Sequence, residues 1–180
     1  HRNFMYALIE NNEIKETFSN IRALKIGDVQ YPKNIFTVWS ESELNNVGLY
    51  TVVQDNSNYK DGSLYTNTEV SYAFADGKVT ASYGTATPKE LDDGKSQKKT
   101  EIKSQASGLL TPLDWHVIKA TEVESYSVPE AITTYRADVR TASNDMESKI
   151  DACSTVDELA ALYVYTNGSR PLGEFPTLDT

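Results

Sequence analysis

The chain has 180 residues, 17 Lys and Arg against 26 Asp and Glu, a formal net charge of −9 and one cysteine. That length suits one ordinary domain or two small ones, and a chain of this size buries roughly 70% of its unfolded surface without a disulfide or structural metal. One cysteine closes no intramolecular bridge, the ligands of a zinc site are absent, the acidic balance argues against nucleic-acid binding, and no apolar run approaches the roughly 20 residues of a membrane span.

The N-terminus carries no charged-then-apolar secretory pattern. His1 is an unusual first residue and Met5 could be the natural start, so the sequence leaves open whether residues 1–4 are native. Residues 4–9 read as a strand, Asn11-Asn12 as a tight turn, and residues 13–18 as the returning strand. Ile14, Glu16 and Phe18 share one side of it, so the alternation is imperfect. Residues 31–39 read as an extended stretch pinned by Pro32. Ser40-Glu41-Ser42-Glu43 is a capping box, opening a short helix that runs to Asn46 and stops near Gly48. Residues 49–53 form the next strand. The clearest local signal spans 69–83: Val70, Tyr72 and Phe74 face Val79, Ala81 and Tyr83 across Asp76-Gly77, a favoured hairpin turn.

The chain changes character at Thr87-Pro88, where β-branched and aromatic runs give way to Lys, Gln, Ala and Glu at helical spacing. Strands first and helices second predict an α+β fold. The expected organisation is a β-rich N-terminal part over 1–87 with antiparallel hairpins, and a helical C-terminal part over 88–180 with a helical hairpin and an extended tail. Residues 88–110 read as a helix with a thin stripe of Leu91, Ile102, Ala106, Leu109 and Leu110. Gly94 costs it about 1 kcal/mol relative to Ala, and residues 92–97 read as the loosest stretch. Lys95, Lys98, Lys99 and Lys103 read as a solvated face.

Thr111 is placed to cap the next helix, with Pro112 at its first position and Asp114 complementing its N-terminus. Trp115, Ile118 and Val117 are the expected buried side. Ser127-Val128-Pro129-Glu130 reads as a capping box before a helix to Ile150, whose Ile132, Tyr135, Val139 and Met146 share a face. Thr155 caps a last helix over 159–163. The Gly- and Pro-rich end is too irregular for regular structure and is expected to dock through Leu172, Phe175 and Leu178.

No catalytic, metal or cofactor site emerges, and the chain does not read as an enzyme. His1 is terminal. His116 follows Asp114 by two residues, but such positions do not face each other on a helix, so His116 reads as a partly exposed structural side chain. Cys153 precedes the Thr155 cap, yet no histidine is placed beside it, and a small buried apolar residue is the better reading. Residues 55–62 offer oxygen ligands and a Gly but lack the alternating carboxylates and closing Glu of a calcium loop. Eleven Tyr stand against five Phe and two Trp, which fits ordinary half-buried strands better than a dedicated binding surface.

Leu109-Leu110 through Asp114-Trp115, Lys119, Pro129, Tyr135-Arg136 and Arg140 resemble a pattern in the tail-fibre-assembly and related tail-fibre families of tailed bacteriophages. There the run is an apolar pair, a short gap, Asp-Trp, a basic residue, a small-residue spacer, then a Pro-led helix with Tyr-Arg and a second Arg. Trp39-Ser40-Glu41-Ser42-Glu43-Leu44 with Gly48-Leu49-Tyr50 resembles an N-terminal part of such proteins. The long Lys-rich helix, Lys119 where Arg is commoner, and the Gly/Pro-rich tail depart from the pattern. The resemblance implies a virion tail component, built in the host cytoplasm, that docks other phage tail proteins in a homo-oligomeric or multi-copy assembly; the composition argues against nucleic-acid and membrane partners. Trp39, Trp115, Tyr135, Arg136, Arg140 and Phe175 are the candidate contacts. Trp115 and Tyr135 are expected to meet across the helical hairpin, while Arg136 and Arg140 lie one turn apart and suit bidentate pairing. A transient assembly chaperone and a receptor- or carbohydrate-binding module using strand Tyr residues are the alternatives.

Overall fold

Residues that tolerate positive φ set the strands of the first unit. In the computed structural model, which describes residues 4–179, β1 (Tyr6–Glu10) turns through Asn11 and Asn12, at φ 51° and 65°, into β2 (Glu13–Phe18). The turn is as expected; a register shift beside Ile9 is new. Leu8 pairs with Glu16 but Ile9 with Ile14, so Lys15 is the extra residue of a bulge and the alternation along β2 breaks there. β3 (Leu24–Ile26) and β4 (Val29–Tyr31) form a second hairpin around Gly27, unassigned from the sequence.

Residues 31–39 are not one extended stretch. Ile35–Val38 is a helical turn, α1, whose Ile35 is buried and whose neighbours Phe36 and Trp39 pack on the same core. An extended run would send Ile35 and Phe36 to opposite faces; the helical turn lets both join Tyr6 and Phe18. The Phe36 ring meets Tyr6 edge-on at 4.7 Å. α2 (Glu41–Asn46) opens on the full capping box: Glu43 N donates to Ser40 Oγ at 3.2 Å, and Ser40 N to Glu43 Oε2 at 2.8 Å. Gly48 follows at φ 94°, where a Cβ would lie 2.5 Å from the Ile9 carbonyl oxygen. No side chain fits there.

β5 (Leu49–Asp55) is the long central strand, and two-residue strands β6 (Tyr65–Thr66) and β9 (Thr87–Pro88) precede and follow the hairpin of β7 (Val70–Ala75) and β8 (Lys78–Tyr83). That hairpin has the expected register, Val70 to Tyr83, Tyr72 to Ala81 and Phe74 to Val79, with Asp76 and Gly77 at positive φ. The sheet runs β2-β1-β5-β8-β7, antiparallel except where β5 and β8 run parallel. The fold is α+β.

The chain forms two compact units, His1–Lys60 with Asn67–Thr87, and Asp61–Thr66 with Pro88–Thr180. In the second, α3 (Leu91–Leu110) passes through a tight 3-10 turn, Thr111–Leu113, into α4 (Asp114–Glu122); α5 (Glu130–Asp151) and α6 (Val156–Ala161) follow. The stretch 92–97 is regular helix, not loose chain. Gly94, Lys98, Ile102 and Ala106, each four residues on, form the buried ridge of α3. At Gly94 a Cβ would come within 3.0 Å of Leu64 Cδ2 and 3.4 Å of Leu159 Cδ2, so the missing side chain lets these elements close up.

The lysines of α3 are not a uniformly solvated face. Lys98 is only 8% exposed, with its ammonium 3.6 Å from Glu101, 3.9 Å from Asp61 and over the Tyr163 ring. Lys95 and Lys99 reach the Asp151 carbonyl and carboxylate, and Lys103 reaches Glu147. α3 packs along α5, and α4 is the connector between them. The buried stripe of α5 is Tyr135, Arg136, Val139, Ser143, Met146 and Ile150; of the expected face Tyr135, Val139 and Met146 are buried, while Ile132, near the start of the helix, is only half-buried.

Two expected caps do not form. Thr111 makes no capping bond, because α3 runs directly into the 3-10 turn, and α5 starts on Pro129 without a side-chain cap. Thr155 does accept from Glu158 N, capping α6. The tail docks as expected: Leu172 is fully buried, and Phe175 and Leu178 pack against Ala106, Tyr135 and Val139.

Candidate functional site: a docking face on the second unit

Arg136 ties the segment together. Its side chain is buried against the C-terminal end of α3, where Nη1 donates to the Leu110 carbonyl at 2.7 Å and Nη2 to Asp114 Oδ1 at 2.8 Å. One planar guanidinium thus caps the end of α3 and holds the first residue of α4, a fork that Lys could not reproduce. Asp114 and Arg136 come from the two halves of the segment that carries the family resemblance, and the fold brings them together.

This anchor sets the rotation of α4, and the result inverts the expected burial. Trp115 is 52% exposed, Val117 45% and Ile118 58%, while His116 is only 9% exposed. Trp115 and Ile118 are three residues apart, and Thr121 and Glu122 continue the same outer arc. Beneath it His116 Nδ1 shares a 2.6 Å hydrogen bond with the Tyr126 hydroxyl. The indole of Trp115 stacks on His116 at 3.7 Å between centroids, and Lys119 Nζ lies 4.6 Å from the Tyr126 ring centre. The Trp115–Ile118 end of the arc is therefore apolar, aromatic and braced from below, while Thr121 and Glu122 make its other end polar. Exposed apolar groups gathered this way mark interaction surfaces more than lone exposed residues do.

The other candidate contacts are scattered. Trp39 lies in the first unit, half-buried on its core and edge-on to Tyr31. Tyr135 is buried with Ala106 and Val139 and is supported by Phe175, so these two are packed side chains of the second unit. Trp115 instead stacks with His116 and Tyr126. Arg140 is exposed, one turn beyond Arg136. His116 is structural, as expected, but more buried than the sequence suggests, and its pairing with Tyr126 is not legible because the apolar periodicity of α4 points the other way.

Cys153, Asp55 and Asp61 are each tied into local structure. Cys153 is buried, its thiol donates to the Lys149 carbonyl, and burial, with Glu158 adding, pushes its pKa up, so it stays protonated near neutral pH. Asp55 and Asp61 accept from the backbone of Ser57 and Ser63, bonds that hold both carboxyls below their usual range and tie them into turns. Among the described residues no three His, Cys, Asp or Glu are placed to hold a metal ion, and no helix is long and apolar enough to cross a membrane. His1 lies outside the described residues. Set against protein-family models, curated proteins and solved structures, the chain matches none of them.

Proposed function

We propose that this protein is a docking component of a bacteriophage tail or its fibres, acting by binding other tail proteins in a multi-copy assembly. The observation that carries the docking role is the outward arc of Trp115, Val117 and Ile118, held in place by the Arg136–Asp114 link. Burying such side chains on a partner supplies the non-directional part of the affinity, and a central Trp is a favoured anchor of protein interfaces. The phage assignment rests on the resemblance of the Asp114-Trp115 to Tyr135-Arg136 segment. The test is mass spectrometry of the tail fraction of particles from the source virus, with wild-type chain and with a Trp115→Ser/Ile118→Ser double variant. The expected result is wild-type chain in the tail at defined stoichiometry and a folded double variant missing from it. A tail fraction without the chain points to the transient chaperone instead, and full incorporation of the double variant removes the docking face.

A further inference from the structure

An open groove of about 440 Å³ lies between α3 and α5, beside the Arg136–Asp114 link. Lys103 lines it from α3, Arg136, Arg140 and Asn144 from successive turns of α5, and Ala106 and Leu110 give it apolar floor. In a chain of net charge −9, its lining sets three cations, Lys103, Arg136 and Arg140, against one carboxylate, Asp114. Lys103 is matched by Glu147, 3.4 Å away, and Arg136 by Asp114. Arg140 has no such match among the described residues.

That contrast is sharp across the unit. Lys89 and Lys95 reach backbone carbonyls. Lys98, Lys99, Lys149 and Arg170 have carboxylates, and Lys119 has the Tyr126 ring. Arg140 alone among the described Lys and Arg of the second unit has no carboxylate, carbonyl or ring partner. It stands exposed at the groove with five donors in a fixed fork, the geometry that grips a carboxylate bidentately. The exposed Asn144 amide one turn on offers a further donor.

We infer that this groove receives an acidic segment of the docked partner, a carboxylate pairing with Arg140 while an apolar neighbour sits over Ala106 and Leu110. The inference rests on the docking role proposed above and names the chemistry of the partner. A phosphate backbone fits less well, because the overall negative charge repels a polyanion at range, whereas a short segment with one or two carboxylates feels mainly the local cations.

The experiment titrates the full isotope-labelled chain with the peptide acetyl-Asp-Leu-Glu-Leu-amide and follows the Arg140 side-chain Nε–H by NMR. Saturable shifts at millimolar peptide are expected, weakening as salt is raised. The amide analogue, with Asn and Gln for Asp and Glu, is expected to bind at least about tenfold more weakly, as is the acidic peptide to Arg140→Gln. Equal binding of both peptides, or no saturable shift, overturns the inference, and the first comparison needs no variant. So does an oligothymidylate that displaces the peptide, or self-association abolished by Arg140→Glu, which assigns the groove to a second copy. Failure here with loss of the Trp115→Ser/Ile118→Ser variant from the tail leaves the docking role standing and removes only the acidic partner.

Discussion

α4 and α5 both present an apolar stripe in sequence, and the fold uses the two stripes in opposite ways. On α5, Tyr135, Val139, Met146 and Ile150 face α3 and the docked tail and are buried. On α4, Trp115 and Ile118 face outward while His116 faces in. Length and tethering separate the two. α5 has 22 residues and is gripped along its length by α3, so its apolar face settles the packing. α4 has nine, and its rotation is fixed at one end by Asp114 on Arg136 and beneath by His116 on Tyr126. In a short helix two well-made polar links outweigh the burial of a few side chains, and the stripe stays exposed.

The contrast can be broken most strongly from the α5 side. Ile150→Ala removes a fully buried side chain and is expected to lower the unfolding free energy by about 3 kcal/mol, read by urea denaturation. A loss under about 1 kcal/mol would place Ile150 outside a close-packed core. Next comes the tether. Arg136→Met keeps the bulk but strips the donors from the Leu110 carbonyl and Asp114, for an expected loss of about 2 kcal/mol. Asp114 is half-exposed and regains water, which keeps the figure below that of the core substitution. The same variant is expected to free α4, seen as faster amide exchange in 114–122 than in α5; equal exchange would show that the tether does not set α4.

A third effect is confined to alkaline solution. Burial, with the hydrogen bond to Asp157 adding, pushes Tyr65 from the ordinary value of 10.0 up to about 12. Burial, with Glu101 adding, pushes Tyr163 to about 12 as well. The pKa of each group is raised on folding, so its contribution is complete below pH 10 and is lost as pH rises from 10 toward 12. Stability measured against pH is expected to fall across that window, and Tyr65→Phe to flatten part of the fall; an unchanged slope would mean that Tyr65 titrates normally. The smallest effect sharpens the contrast from the other side. Ile118→Ser is expected to change stability by less than about 0.5 kcal/mol, because its side chain already faces solvent. A loss like that of Ile150→Ala would make the stripe of α4 part of the core.

Some local chemistry was legible, though the caps expected at Thr111 and Ser127 do not form. Asn11-Asn12 and Asp76-Gly77 made turns because their residues tolerate positive φ, and Ser40 with Glu43 capped α2 because both partners lie within one turn. Tyr135, Val139 and Met146 of the α5 stripe and the docking of Leu172, Phe175 and Leu178 also followed from pattern. Of the candidate contacts, Trp115 does lie at the surface, but the sequence argued for its burial and paired it with Tyr135, which the fold puts in the core.

What the sequence by itself determined, then, is the α+β class, the change of character at Thr87-Pro88, the turns at Asn11-Asn12 and Asp76-Gly77 and the caps at Ser40 and Thr155. Only tertiary structure decided the parallel pairing of β5 with β8, the helical turn at Ile35, the burial of Lys98 and the outward rotation of α4. Each of these depends on groups distant along the chain, as Arg136 is from Leu110 and Asp114, and the energy of such a contact exists only once the intervening chain has been closed into place.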